Sequence, residues 1–195
     1  MNELIIIDNN DSFTYNLVQS FKYIGSKPKV INISDVDKCN FNTCSKIVLS
    51  PGPGLPDENP NLINLIHKYK SNKKILGVCL GMQAIALAFG ASLYNLDIPR
   101  HGESRKLELI KASNLYTGLN NIEVGLYHSW AVNPDNLHKE LIVSAVDKDG
   151  VMMSLEHSIY NIYAVQYHPE SIITKDGLTI LYNWYISKNK NTRKI

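Results

Sequence analysis

Over the first 90 residues, short apolar runs alternate with segments of helical periodicity, and this alternation constrains the fold more than any other feature of the chain. "ELIIID", "KPKVINI", "SKIVLS" and "KKILGV" have strand length, and the most apolar of them are too continuous to have one wet face. Between and after them lie "SFTYNLVQSFKYIG", ending at Gly25, "NPNLINLIHKYKS" and "MQAIALAFG", which read as helices. Asp11 or Asn10 is placed to cap the first of them. Strand-helix-strand units join parallel strands by right-handed crossovers and cover both faces of a sheet. From about residue 91 the rhythm changes. "ASLYNL", "SRKLELI", "IEVGLYHS", "LIVSAVD", "VMMSLEH" and "NIYAVQY" read as short strands with turns such as "DKDG" between them, before a last helix in "DGLTILYNWYISK". The expectation is an α/β fold: an open, mostly parallel sheet with helices on both faces and a strand-rich second half.

A chain of 195 residues is long enough for one sizeable core and short for two. Hydrophobic residues at 44% and charged residues at 19% place it among folded globular proteins. A net charge of +2 gives no electrostatic case for a nucleic acid or a membrane surface. No apolar run approaches the roughly 20 residues of a membrane span, and "MNELIIIDNND" has no basic start or small-residue cleavage site. The expected location is the cytoplasm. The three cysteines form no disulfide framework, and "CNFNTC" (Cys39, Cys44) lacks the spacing of a zinc knuckle, so both are read as reduced thiols in a connecting segment. One domain is expected over residues 1–187, with "KNKNTRKI" (188–195) as a frayed basic tail.

In sheets of this kind, reactive groups collect beyond the carboxyl ends of the strands. Two turns fall there. "SPGPGLP" (50–56) holds Gly52 and Gly54 between Pro51, Pro53 and Pro56, a stiff loop able to present backbone N–H groups to a ligand; a plain rigid turn would use the same residues. "GVCLG" (77–81) is the cysteine form of the G-x-S-x-G pattern, in which a strained strand-to-helix turn exposes a nucleophile. A helix N-terminus favours a thiolate, and the Leu80 N–H is available to a developing oxyanion. Lone cysteines are usually small core residues, but the two glycines and the strand-helix switch favour the nucleophile here.

A cysteine nucleophile needs a base and a group that orients it. His67 lies on a polar helix, His138 and His157 sit near strand ends without an acidic or cysteine cluster, and His101 and His128 stay ambiguous. His168 closes an apolar strand and is followed by Pro169 and Glu170. In extended backbone, residues two apart point the same way, so Glu170 reaches the imidazole. Metal binding by this pair is the competing reading, and it lacks further ligands at a recognisable spacing.

Five ordered motifs, "IDNNDSFTYNL", "SPGPGLPDE", "GVCLGMQAIA", "YHSW" and "VQYHPESIITKDG", together resemble the class I glutamine amidotransferases, in particular the glutaminase subunits of anthranilate synthase and aminodeoxychorismate synthase. The resemblance runs from residue 3 to about 187. It implies a flavodoxin-like sheet and a triad of Cys79, His168 and Glu170. It also implies that glutamine is held by backbone groups of Gly52, Pro53 and Gly54, by the Gln83 side chain and by the Ser129–Trp130 segment, with the N–H groups of Gly54 and Leu80 as oxyanion hole. No cofactor or metal is implied in this chain; magnesium belongs to the expected partner, a chorismate-using synthase subunit that receives the ammonia released from L-glutamine. Anthranilate formation is the main reading, because "YHSW" and "YNW" are more similar to that group; aminodeoxychorismate formation, or service to both, is the alternative. Three positions depart from the family pattern. Met82 stands where histidine is common, Trp130 where leucine is, and Glu103 where lysine usually follows "HG", in a segment that is also short and faces the synthase in the family.

Two rival readings remain. A polar loop after the first strand, "DNNDSFTYN", would make the chain a phosphate or flavin binding module. A free-standing cysteine hydrolase would use the same triad without a partner.

Overall fold

The computed structural model describes residues 3–190. Strand β1 (Glu3–Asp8) leads through α1 (Thr14–Tyr23) to β2 (Lys29–Asn32), and a 3-10 turn (Ile33–Lys38) leads on to β3 (Cys44–Leu49). Helix α2 (Pro60–Tyr69), β4 (Lys74–Val78) and α3 (Leu80–Ala88) complete the alternating half. The second half contains β5 (Leu93–Lys106), β6 (Glu108–Leu109), β7 (Glu123–Val132), β8 (Leu141–Val146), β9 (Met152–His157), β10 (Ile162–Val165) and α4 (Gly177–Ile186). Eight strands form one sheet in the order β2-β1-β3-β4-β10-β9-β8-β6. The first five pair in parallel, and β9, β8 and β6 continue antiparallel.

The continuous apolar runs are explained by burial on both faces. Alternate residues of β1 point opposite ways. Leu4 and Ile6 join Val48, Leu76 and Val165 in a core with Leu17, Val18 and Phe21 of α1 and with Ile180, Leu181 and Trp184 of α4. Ile5 and Ile7 join Ile47, Leu49 and Ile75 in a second core with Leu62, Leu65 and Ile66 of α2 and Met82 and Ile85 of α3. Met82 is fully buried there, so the departure at that position is a packing residue. Among the described residues, no helix is long and apolar enough to cross a membrane.

The strand order places the site. The chain runs from β1 outward to the edge strand β2 and returns to β3 on the other side of β1, so the order reverses between β1 and β3. That reversal opens a crevice at their carboxyl ends. Asn9 ties the two ends together: its N–H donates to Ser50 Oγ and its Nδ2 to the Ser50 carbonyl, both at 2.9 Å. The loop that follows is occupied by its own carboxylates. Asp8 Oδ1 accepts from the N–H groups of Asn10 and Asp11 and from Thr14 Oγ1, and Asp11 Oδ1 accepts from the Phe13 N–H at 2.7 Å. These donors are the ones a phosphate would need, which removes the support for a phosphate-binding loop. Of the two cap candidates, Asp11 secures the entry to α1, bonding one residue before the helix begins. Asn10 takes a positive φ of 62° instead.

Three expectations need correction. "ASLYNL" and "SRKLELI" are not two strands. One strand, β5, spans 93–106 and pairs with β7 in a separate two-stranded ribbon, with register shifts between Asn95 and Arg100 and between His101 and Glu103. Pro99 and Gly102 sit in those irregular stretches, where a missing donor and a positive φ are tolerated. The end of "SRKLELI" leaves the ribbon, and Glu108–Leu109 pair with β8 at the edge of the main sheet. Cys44 opens β3 rather than lying in a connection, and its thiol bonds to the Lys46 carbonyl at 2.8 Å. Of the expected tail, Lys190 is held by Glu156 Oε2 at 3.1 Å and the His157 carbonyl at 2.6 Å; residues 191–195 lie outside those described.

Candidate active site

Strand β4 is buried throughout and delivers Cys79 to the crevice. Cys79 has φ 52° and ψ −104°, a conformation that costs a residue with a side chain about 1–3 kcal/mol. Its N–H is tied to the Val165 carbonyl at 2.8 Å, and its own carbonyl accepts from the N–H groups of Met82 and Gln83, starting α3. The flanking glycines are required by close approach. A methyl on Gly77 would strike the Gly81 carbonyl, and one on Gly81 would lie 2.5 Å from the Leu49 carbonyl oxygen. The Leu80 N–H lies in the first turn of α3, where no carbonyl of the helix can reach it.

His168 lies three residues beyond β10, and its N–H donates to the Gly125 carbonyl at 3.0 Å. Its Nδ1 is 2.7 Å from Glu170 Oε1, with both side chains almost wholly buried. The backbone here is not extended, contrary to the expectation from sequence. The Ser171 N–H returns to the His168 carbonyl at 3.1 Å, making a turn with Pro169 at its second position, where its fixed φ fits. The turn brings Glu170 back onto the imidazole, so the pairing stands for a different geometric reason. A carboxylate only accepts, so Nδ1 carries a proton toward Glu170, and the buried Nε2 is the ring atom left for Cys79. Burial works to lower the His168 pKa, but the Cys79 thiol and Glu170 outweigh it and carry it up to about 10. Phe13 and Tyr127 pack edge-on against the ring at 5.2 and 5.0 Å.

In front of Cys79 is a cavity of about 150 Å³. Gly52, Gly54, Leu80, Gln83, Ser129 and Trp130, all among the residues expected to meet glutamine, line it. Pro53 does not; it is exposed and faces a neighbouring cleft with Asn10 and Leu55. Gly54 has φ +71°, and any side chain there would collide with the Glu58 carboxylate. Gln83 is buried, its Nε2 donating to the Trp130 carbonyl at 2.8 Å.

Three contributors were not singled out from sequence. Tyr127 and His128 line the cavity. His128 Nδ1 bonds the Trp130 carbonyl at 2.9 Å, and burial lowers its pKa, which keeps the ring neutral. Gln166, fully buried, places its Nε2 3.6 Å from Cys79 Sγ. Alternation in "LYHSW" would have put His128 and Trp130 on one face, but a glutamine at the end of an apolar strand carries no pattern of its own. The other histidines lie elsewhere. His67 is exposed, and His101 packs on the outer edge of Tyr127. His157 does have an acidic neighbour, contrary to expectation, since β8 and β9 bring Glu140 within 3.4 Å; burial lowers its pKa to about 4. Glu103 is engaged on the ribbon by Arg105 at 2.9 Å and Arg100 at 3.5 Å.

A strained thiol, an oriented buried imidazole, helix and loop N–H groups and a polar cavity are the parts needed for acyl transfer. The family model of class-I glutamine amidotransferases matches residues 5–188. This chain belongs to the class-I glutamine amidotransferases. It is 38% identical over 193 residues to anthranilate synthase component 2 of Saccharolobus solfataricus, covering 94% of this chain and 98% of that protein. It is 35% identical over 184 residues to aminodeoxychorismate synthase component 2 of Klebsiella aerogenes, covering 93% and 98%. A glutamine amidotransferase structure from Thermotoga maritima superposes with a TM-score of 0.73 at 13% identity, over 94% of this chain and 96% of that one, a likeness of fold. The open sheet is thus a fold shared with a glutamine amidotransferase.

Proposed function

We propose that this chain hydrolyses L-glutamine through a thioester on Cys79 and delivers the ammonia to a chorismate-using synthase subunit, for anthranilate formation. The observation that carries the reading is Cys79 at positive φ between β4 and α3, with the buried His168–Glu170 pair beside it. His168, charged beside Cys79, leaves the sulfur as a thiolate, which attacks the side-chain amide carbon of glutamine. The N–H groups of Leu80 and Gly54 receive the oxyanion. His168 returns the proton to the departing nitrogen, and ammonia leaves. A water deprotonated by His168 then cleaves the thioester to glutamate and restores the thiol. Glu170 holds the Nδ1 proton throughout, so Nε2 is the atom that exchanges protons at each step.

Both relatives described above are named as components of synthases, which supports a partner that consumes the ammonia. Ammonia released to water is mostly protonated to ammonium, which is not a nucleophile, so direct transfer is the efficient route. Aminodeoxychorismate formation is the second reading, supported by similar identity to that group, and the added synthase would decide the product. Reduced cysteine thiols fit a cytoplasmic location. The test is the Cys79→Ala chain in complex with its synthase. Glutamine-dependent product formation should vanish while synthesis from added ammonium salt persists; retained use of glutamine would overturn the mechanism.

A further inference from the structure

We propose that Gln166 is a positioning residue for this reaction, donating from its amide to the Cys79 sulfur while its carbonyl oxygen orders the Gln83 amide on the substrate side of the cavity. Gln166 is fully buried just past β10, its backbone N–H fixed on the Met153 carbonyl at 2.9 Å. Its Nε2 lies 3.6 Å from Cys79 Sγ, and its Oε1 lies 3.3 Å from Gln83 Nε2. Valence sets the direction of every bond. A thiolate only accepts, so the Gln166 NH₂ must face the sulfur, and its oxygen is left for Gln83. The Gln83 NH₂ then divides its two hydrogens between Gln166 Oε1 and the Trp130 carbonyl. Only the carbonyl oxygen of Gln83 remains to meet a ligand, so this side chain acts as an acceptor for a substrate N–H. The same Trp130 carbonyl takes the Nδ1 proton of His128, which locks the ribbon segment into the chain of bonds.

Burying a primary amide is unfavourable unless it is hydrogen-bonded, and a leucine would fill similar space. The neutral amide adds no charge to a thiol that interacts with His168 and shares its cavity with Tyr127 and His128; Glu170 acts on His168, Arg100 and Asp147 act on His128, and Glu58 lies beside Gly54. Removing it leaves those groups in place. The assignment of a substrate N–H to Gln83 rests on the glutaminase reading; the bond to sulfur does not.

The test separates the two. Alkylation of Cys79 by iodoacetamide, followed by peptide mapping on the full chain over a range of pH, reads the thiolate without any substrate. In Gln166→Leu the midpoint of the profile should rise by about one pH unit and the rate at pH 7 fall about tenfold. If the leucine variant does not fold, Gln166→Met carries the same expectation. Gln166→Glu keeps the acceptor for Gln83 and loses the donor to sulfur. It should shift the alkylation profile and lower kcat while leaving KM for glutamine within about twofold of the parent, whereas Gln166→Leu should also raise KM. Alkylation profiles that superpose on the parent would overturn the bond to sulfur, and equal losses in kcat and KM for Gln166→Glu would reduce the residue to packing. If no variant or parent hydrolysed glutamine, the shifted alkylation profile would still stand, and only the substrate assignment would fall.

Discussion

His168 contributes to how this protein responds to pH. The folded-state pKa of His168 is raised to about 10, against an unfolded value of about 6.5. Its contribution to stability is therefore fully present below about pH 6.5, shrinks as pH rises, and is gone above about pH 10. The difference in unfolding free energy between the parent and His168→Gln should narrow steadily across that window in denaturant titrations. A difference independent of pH would mean that the imidazole is not held as the charged form. The pair was legible in the sequence because an acidic residue two places from a histidine at a strand end has few purposes. Its turn was not, since residue spacing alone does not distinguish an extended strand from a turn that folds the carboxylate back. Gln166 was illegible for a related reason: its meaning comes from the sulfur and the amide it touches, both more than 80 residues away in the chain.

At the scale of elements, the junction between β4 and α3 tolerates little change. Gly81→Ala would push a methyl to within 2.5 Å of the Leu49 carbonyl oxygen and 2.8 Å of the Leu49 Cβ. It should cost about 1–3 kcal/mol in urea unfolding and displace α3 from the site. Gly150→Ala, at φ +78° with nothing within 4 Å, should cost about 1 kcal/mol through backbone conformation alone and leave activity intact. Equal effects on activity would contradict the role of close packing at the elbow. The alternating first half was readable because burial on both faces demands continuous apolar strands. The ribbon was not, because bulges absorb a proline and a glycine that ordinarily end strands. That ribbon matters to function, since β7 carries Tyr127 to Trp130 into the cavity while Ile98 on β5 is 68% exposed. Glutamine hydrolysis by the isolated chain should be slow and rise at least about tenfold, roughly 1.4 kcal/mol of barrier, on adding the synthase subunit. Rates already equal to those of the complex would favour a free-standing hydrolase.

For the molecule as a whole, the sheet supplies both ends of the chemistry from distant parts of the chain: β4 brings the thiol and its neighbour β10 brings the base. The three cysteines then occupy distinct environments, with Cys39 in the segment before β3, Cys44 at the start of β3 and Cys79 alone in the polar cavity. A diazoketone analogue of glutamine joins recognition of the substrate to attack by the thiol, so the position it labels tests the central claim directly. Peptide mapping after treatment of the parent chain should find the adduct on Cys79, with Cys39 and Cys44 unmodified and labelling lost in His168→Gln. Equal labelling of all three cysteines, or an adduct that excess glutamine fails to prevent, would contradict the assignment of Cys79 as the nucleophile of a glutaminase.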